Sequence, residues 1–400
     1  MNIARPISGF TAEQLIDKLA QARGRLRALI ACVPDGGWLG PRAEHLNPPL
    51  WEYGHIVWFQ ERWCLRARLD GSYAPNAMMH RREWPMHSSL LDRADALYDS
   101  STVPHDCRWD LPLLIPAAVD DYAGRVFDAV AARLRGAFSD EFAYFAELCL
   151  YHELMHIEAW WMAFQNLGYT PPTWPDFSGD LPAQPERLVF AEGEIELGSG
   201  PDAGFIFDNE KWRHAAPVPA FDIDAAPVSQ GAFLEFVELG GYRRSVGWSE
   251  AGWAWRMDSK ASHPVYWRKE NGAWQVRRFD RWMPLIPGAP MLHLNRYEAE
   301  ACAAWQGRCL PAAGQWLRAI EVPEFRWGKV WEWLREPFAP YPGFSPDPYQ
   351  DYSQPWFHTH WELRGGGPLT DPHLIRPGFR NFYLPHRRDP FAGFRTASLS

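Results

Sequence analysis

Residues 151–158 read Tyr-His-Glu-Leu-Met-His-Ile-Glu and place two histidines four positions apart. They lie in a run from Glu141 to Leu167 that contains no proline or glycine and carries apolar residues at helical spacing. This pattern predicts a long helix, on which His152 and His156 project from one face, one turn apart. Two neutral imidazoles so placed can bind one divalent metal ion, although two buried histidines with ordinary hydrogen bonds would give the same pattern.

Capping signals and periodicity predict four helices in the first 168 residues, with a short helical piece near Leu90–Tyr98. The long excursion between the second and third helices fits an antiparallel four-helix bundle. The predicted helices run from the N-cap Thr11 to about Ile30, from Leu50 to about Leu69, from Ala117 to Arg135, and from the N-cap Asp140 through the histidine stretch.

The second half of the chain has a different composition. Residues 169–187 are proline-rich and predict a linker, and residues 188–400 are rich in glycine, proline and tryptophan. This second half predicts an α+β domain with many loops, so the fold class is α+β with two domains, 1–168 and 188–400. Its predicted elements are the strands Arg187–Phe190, Ile195–Leu197, Phe221–Ile223 and Trp274–Arg278 and the two helices Ser229–Glu238 and Arg296–Gln306.

Composition excludes several classes of partner. The 400 residues carry a net charge of −9 and contain no long basic block, so the charge pattern does not indicate nucleic-acid binding. We find no signal peptide and no apolar run of 18 residues, so we expect a cytoplasmic protein without a membrane span. The six cysteines form no C-x-x-C pair and predict free thiols, and no protein partner is evident.

A third histidine is available on the second predicted helix. His55 follows Gly54, which lowers helix stability and suggests close packing or room for a ligand. If the second and fourth helices face each other, three neutral histidines could hold a non-haem Fe(II) with positions left for a substrate and oxygen. His152-Glu153-x-x-His156 also matches the zinc peptidase motif with Glu153 as base, but Glu158 is too near to be its third ligand.

Many short sequence motifs, in the same order along the chain, match those of one enzyme family. They include residues 48–59 (P-P-L-W-x-x-G-H-x-x-W-F), 152–156, 205–210, 227–236, 328–333, 348–353, 379–382 and 387–395. Over nearly its full length the chain resembles the ergothioneine-type non-haem iron sulfoxide synthases. The resemblance implies a DinB-like four-helix bundle followed by a formylglycine-generating-enzyme domain, the sulfatase-modifying-factor or C-type-lectin-like type.

The resemblance also implies an activity and its residues. Enzymes of this family use Fe(II) and O2 to join sulfur, or a close analogue, to the imidazole of hercynine (trimethylhistidine). His55, His152 and His156 match the iron ligands. Tyr349 matches a tyrosine that supplies a proton or electron during oxygen chemistry, and Tyr352 matches its neighbour.

Four further positions match substrate-binding residues of the family. Asn381 and Phe382 match residues that hold the trimethylammonium group of hercynine, and an aromatic face attracts a quaternary cation. Arg387 and Arg388 match a basic pair near the sulfur donor, although a solvated loop with carboxylate partners would also account for them.

Two departures from the family bear on the donor. Met155 stands where ergothioneine enzymes have a Gln that anchors the substrate carboxylate, and a thioether cannot donate that hydrogen bond. Tyr383 stands where enzymes that use γ-glutamylcysteine have an Asp for the donor's ammonium group. Such an altered pocket resembles the selenoneine synthase branch, whose donor is a selenosugar. We therefore expect a selenoneine synthase; the alternatives are a sulfoxide synthase with a thiol donor and a zinc peptidase.

Other residues carry expectations of their own. Trp84 and His386 could join Tyr383 in contacting an uncharged sugar. His358 and His360 would lie on one face if their segment is a strand, where a second metal site is possible, although satisfied or exposed strand residues would look the same.

Overall fold

The histidine stretch lies near the middle of the longest helix in the computed structural model, which describes residues 9–67 and 86–398. Contacts divide the chain into two units. The first comprises residues 1–172 together with 199–208 and 345–353, and the second comprises 173–198, 209–344 and 354–400. The contiguous boundaries expected from the sequence do not include the two short segments. These segments join the helices because their aromatic residues, such as Phe205 and Tyr349, pack on helical residues.

The first unit is the predicted four-helix bundle. Helices α1 and α2 each pack against both α4 and α5. A single π-helical turn, Arg62–Arg66, follows α2, and residues 68–85 lie outside the described part, so the predicted end of this helix near Leu69 and the residue Trp84 do as well. The helices are α1 (Ala12–Ile30), α2 (Pro49–Glu61), α3 (Ala94–Tyr98), α4 (Pro116–Arg135) and α5 (Asp140–Leu167).

Local sequence signals account for the helix ends. Thr11 caps α1 through the predicted capping box with Gln14. The predicted N-cap of α5 was wrong by one residue, because the Ser139 hydroxyl accepts the hydrogen bond from the Phe142 N–H and Asp140 is the first helical residue. Gly168, in the left-handed conformation, ends α5.

Gly54 is required by close packing. A Cβ atom at this position would lie 2.1–2.7 Å from ring atoms of Tyr98 on α3. The absence of a side chain thus lets α3 approach α2, as the position of this glycine beside His55 suggested.

The second unit is the predicted α+β domain. Its largest sheet has the strand order β10-β9-β8-β11, in which only the β8–β11 pair is parallel; β5-β6-β7 form a meander, and β1-β4 and β2-β3 are antiparallel pairs. The strands are β1 (Arg187–Phe190), β2 (Gly193–Leu197), β3 (His214–Val218), β4 (Phe221–Asp224), β5 (Trp267–Glu270), β6 (Ala273–Arg278), β7 (Arg281–Pro284), β8 (Trp331–Pro337), β9 (Trp361–Arg364), β10 (Asn381–Tyr383) and β11 (Ala392–Gly393). The helices are α6 (Gln230–Glu238), α7 (Glu250–Ser259), α8 (Arg296–Trp305) and α9 (Ala313–Ala319).

Two helices of this unit were not predicted from the sequence. Helix α7 buries only Gly252 completely, so it lacks the continuous apolar stripe by which a helix is recognised. Helix α9 has seven residues and includes Gly314. The segment of His358 and His360 is not a strand, so the condition for their sharing one face is not met: both precede β9 in a turn, where His358 has a φ of 63°.

Buried ion pairs fix the centre of the second unit. Arg395 and Glu332 are both fully buried and bind through two hydrogen bonds of 2.5 and 2.7 Å. The Trp316 indole N–H also donates to Glu332, and the Arg395 guanidinium lies over the Phe325 ring. No helix in the described part of the chain is both long and apolar enough to cross a membrane.

Candidate metal centre

The three histidines predicted as ligands come together in the first unit. His55 lies on α2, and His152 and His156 lie one turn apart on α5. One ring nitrogen from each forms a set in which all atoms lie within 4.8 Å of one another. Among the described residues this is the sole group of three or more histidine, cysteine or carboxylate side chains so arranged, which leaves His358 and His360 outside any such group.

Hydrogen bonds fix the orientation of two of the rings. The His55 Nδ1 lies 2.8 Å from the Tyr98 carbonyl oxygen, and the His156 Nδ1 lies 2.9 Å from Glu52 Oε1. Because both acceptors require an N–H donor, each Nδ1 carries the proton and each Nε2 is left with a lone pair. This second partner on the far nitrogen is typical of metal-binding histidines.

The third ring has a buried nitrogen that no hydrogen bond satisfies. The His152 Nε2 is enclosed and has no partner among the described residues. A buried polar atom left in this state costs about 1–3 kcal/mol, which a bond to a metal ion would offset. The three donors, all imidazole nitrogens, therefore fit a divalent transition metal such as iron, which imidazole suits.

Burial keeps the histidines in the form that binds metals. It is the largest cause that lowers the pKa of His55 and of His152 well below the usual range, and the neighbouring His156 lowers both further. Neutral imidazole is the ligand form, so His55 and His152 can bind a metal ion without a preceding deprotonation.

Aromatic rings hold the histidines in place. Phe59 stacks on His152 with ring centroids 3.6 Å apart, and Trp51 stacks on His55 at 4.9 Å. Phe59 and Trp51 both lie on α2, one turn from His55 on either side, so the helix supplies the ligand and the walls together.

Tyr349 is brought to the histidines by the segment 345–353 of the first unit. Its ring lies edge-on to Phe59 at 4.9 Å and to His152 at 6.3 Å, with Trp63 on another side at 6.2 Å. Burial and then the nearby carboxylates, Asp351 foremost, raise the pKa of Tyr349 above its ordinary value. The phenol therefore keeps its proton at neutral pH.

Tyr352 and Met155 contact each other directly. The Tyr352 hydroxyl lies 3.6 Å from the Met155 thioether sulfur, a weak acceptor, and the Tyr352 ring stacks on Phe207 at 4.3 Å. The methionine that departs from the family pattern thus accepts from one of the two predicted tyrosines. Local patterns do not predict this pairing, because 197 positions separate the two residues.

Glu153 forms an ion pair, which argues against its acting as a general base. Its two carboxylate oxygens accept from the Arg23 guanidinium of α1 at 2.7 and 3.1 Å, and both side chains are buried. The carboxylate that contacts a histidine of the cluster, His156, is Glu52, which was not predicted from the sequence. Its position three residues before His55 on the same helix was the available signal.

The residues predicted to hold hercynine lie in the second unit on β10. Because side chains alternate along a strand, Asn381 and Tyr383 share one face and Phe382 takes the other. Phe382 stacks on Phe338 with centroids 4.2 Å apart, and the His360 ring lies edge-on to it at 6.0 Å. The strand therefore separates the amide of Asn381 from the ring of Phe382.

The two arginines of the predicted basic pair have different partners. Arg387 forms an ion pair with Asp389 and lies over the Tyr383 ring at 5.5 Å. Arg388 lies 3.8 Å from Glu298 and 5.2 Å from the Trp255 ring. Each guanidinium thus has a carboxylate and an aromatic partner of its own, and the residue in the altered donor position, Tyr383, contacts one of them.

Comparison with known proteins agrees with this architecture. Residues 18–159 match the DinB superfamily, and residues 177–323 and 326–399 match the sulfatase-modifying factor enzyme 1-like domain. The chain is 32% identical to the hercynine oxygenase of Mycobacterium tuberculosis, over 96% of this chain and 98% of that one. It is 30% identical to the hercynine oxygenase of Mycolicibacterium thermoresistibile, over 99% and 96%. A formylglycine-generating enzyme of Streptomyces coelicolor is 26% identical over 34% of this chain and 48% of its own length.

Proposed function

Because the chain belongs to the hercynine oxygenase family, we propose that it is a selenoneine synthase, which uses Fe(II) and O2 to join the imidazole of hercynine to a selenosugar. The observation that carries the proposal is the cluster of His55, His152 and His156, with its buried and unsatisfied His152 Nε2. These three residues would hold the iron. When bound, Fe(II) supplies the one-electron chemistry through which O2 can react with closed-shell substrates.

The reaction balances with O2 as the single oxidant. Exchange of an imidazole C–H and a selenol Se–H for a C–Se bond releases two protons and two electrons. Reduction of O2 consumes four electrons when one oxygen atom leaves as water and the other enters the product. The second pair of electrons comes from selenium, so the product leaves as a selenoxide.

Tyr349 is the residue that we assign to proton supply. Its hydroxyl is protonated at neutral pH, and its ring is fixed by Phe59 and Trp63 beside His152. A buried phenol in this position can donate its proton directly, so no acid from the solvent has to enter the site. Tyr352 anchors the neighbouring wall through Phe207 and Met155.

The choice of selenium donor is supported by Met155 and Tyr383. Met155 accepts from Tyr352 and offers no hydrogen-bond donor to a substrate carboxylate. Tyr383, beside Arg387, presents an aromatic ring and a hydroxyl where an ammonium-bearing donor would need a carboxylate. Rings and neutral hydrogen bonds suit an uncharged sugar.

A donor competition tests this assignment. The full-length protein is loaded anaerobically with Fe(II), exposed to air with hercynine, and offered a selenosugar, the matching thiosugar, cysteine or γ-glutamylcysteine in parallel. Products are identified by mass. We expect the selenosugar adduct to form fastest. Faster turnover of γ-glutamylcysteine would refute the selenium assignment in favour of a sulfoxide synthase, and absence of hercynine consumption with every donor would refute the activity.

The metal ligands are tested separately from turnover. His55→Ala is expected to lose stoichiometric iron, measured by metal analysis after desalting, because it removes one of three ligands. His358→Ala, which changes an exposed histidine in a turn of the second unit, is the matched control and should retain iron. Retention of stoichiometric iron by His55→Ala would exclude this ligand set.

A further inference from the structure

A cavity of about 390 Å³ in the second unit has an aromatic wall and a cationic wall. It lies beside the β6–β7 hairpin, and its lining includes Trp174, Phe177, Gln230, Arg278, Arg281 and Trp282. None of the residues that match hercynine-binding or donor-binding positions belongs to this lining. Its size falls within the range of small-molecule sites.

The cationic wall contains a buried guanidinium without a counterion. Arg278 is 3% exposed, and among the described residues no nearby carboxylate raises its pKa. Its Nη1 has no hydrogen-bond partner, its guanidinium lies over the Phe177 ring at 4.7 Å, and its positive charge contributes to lowering the pKa of the buried His293. Burial lowers the pKa of Arg278 to about 10, so the group still carries its charge at neutral pH.

Other buried arginines of the same unit are paired. Arg364 and Arg380 share Glu362, and Arg395 binds Glu332. Leaving a buried charge unpaired is strongly unfavourable, so an isolated guanidinium is unusual in a stable core. The contrast indicates that Arg278 is matched to a partner that is not part of the chain.

The surroundings of Arg278 add a second cation and exposed apolar surface. Arg281 is its neighbour across the hairpin, and the Arg281 guanidinium lies over the Trp174 ring at 4.2 Å. The one carboxylate of the lining, Asp176, is exposed and accepts from the Ser178 N–H. Trp282, Met283 and Ile286 of the lining are 37–39% exposed, and a contiguous exposed apolar patch of this kind is typical of an interaction site.

Gln230 supplies a polar group on the lining. This residue is buried, and its side-chain oxygen accepts from the Ile286 N–H, so its amide nitrogen remains to donate. A carboxylate or sulfonate accepts such donors, and a guanidinium binds it through two parallel hydrogen bonds.

We propose that this cavity binds a small planar organic anion, whose acidic group pairs with Arg278 and whose apolar ring contacts the tryptophan side chains. The site rests on the second unit alone and does not depend on the proposed synthase activity.

The first test compares an acid with its neutral analogue. Indole-3-acetate and indole-3-acetamide are titrated into the full-length protein at low salt by isothermal calorimetry. We expect saturable binding of the acid and at least about tenfold weaker binding of the amide, the loss of one charge-assisted interaction. Equal binding of both, or no saturable binding of the acid, would overturn the proposal.

The second test changes the cavity. Arg278→Met keeps an unbranched side chain but removes the charge, and it should weaken binding of the acid at least about tenfold. Because it removes an unpaired buried charge, the melting temperature should stay the same or rise. Arg187→Met, at an exposed position on β1, is the control and should bind as the unmodified protein does.

Two outcomes of the second test would contradict the proposal. One is unchanged binding of the acid by Arg278→Met, which would place the probe elsewhere. The other is a fall in melting temperature, which would mean that the guanidinium has a structural partner. Arg278→Lys provides a further check, since it keeps the charge without the planar fork and should still prefer the acid to the amide.

Discussion

Replacement of Glu52 by Gln or Ala should weaken metal binding in a graded way. Glu52 is 5% exposed, and its Oε1 accepts from the His156 Nδ1–H at 2.9 Å. Glutamine can accept the same hydrogen bond but without charge, and charge-assisted bonds exceed neutral ones by about 1 kcal/mol. Glu52→Gln should therefore bind metal about fivefold more weakly.

Glu52→Ala removes the acceptor altogether. The His156 ring then loses the partner that fixes its tautomer, and loss of such a partner typically lowers metal affinity about 10- to 100-fold. Binding is measured by anaerobic titration with Fe(II), or with Co(II) followed by its visible absorption, so the readout does not involve turnover.

A second glutamate of α2 provides the control. Glu61 is fully buried, and its carboxylate accepts from Ser89, the Leu90 N–H and Tyr122. Glu61→Gln should lower the free energy of unfolding and leave the metal affinity unchanged. The reasoning would be refuted if Glu52→Gln bound Co(II) as tightly as the unmodified protein, or if Glu61→Gln lost as much affinity.

Three other predictions concern the first unit. Arg23→Met should lower the free energy of unfolding by about 3 kcal/mol in urea denaturation, because it leaves Glu153 charged and buried, and a second change of Glu153→Met should restore most of it. Tyr349→Phe should slow product formation about 100-fold or more while the Co(II) affinity is unchanged, because the phenol proton is lost and the three ligands are kept. The hydrogen bonds from Arg66 are the largest cause that lowers the pKa of Asp95 to about 2. Because this pKa is below that of an unfolded aspartate, the pair stabilises the protein above about pH 4, and this stabilisation is lost as the pH falls toward 2. Urea denaturation of Asp95→Asn should show lower stability at neutral pH and a weaker dependence over that range, modest in size because Asp95 is half-exposed.

The parts of the site that the sequence predicted are those that local patterns encode. Helix α5 follows from an unbroken periodic run, and His152 and His156 are adjacent on it by helical geometry alone. His55 was predicted as the third ligand from its position on a predicted helix and from the matching sequence motif. The fold class followed from the change in composition near residue 169.

The features that were not predicted from the sequence depend on contacts between residues that are distant along the chain. Glu52 was visible in the sequence, but its role depends on how α2 is rotated against α5, which periodicity does not fix. The contact between Met155 and Tyr352 requires that residues 345–353 leave the second unit and pack with the helices. Short strands such as β10, with three residues, owe their existence to pairing with β9 and carry little intrinsic pattern.

The two glutamates near the histidines explain why a zinc peptidase motif need not give peptidase chemistry. Positions 152 and 156 share a face of α5, whereas position 153 is rotated by about 100° and reaches α1. There Arg23 donates to both oxygens of Glu153, so this carboxylate is engaged in a buried ion pair with α1. Glu52 approaches the histidine cluster from α2 and accepts a hydrogen bond from the His156 imidazole. The chemistry of the five-residue motif is thus decided by the helices that pack beside it, through the third histidine that α2 supplies and the arginine that α1 supplies.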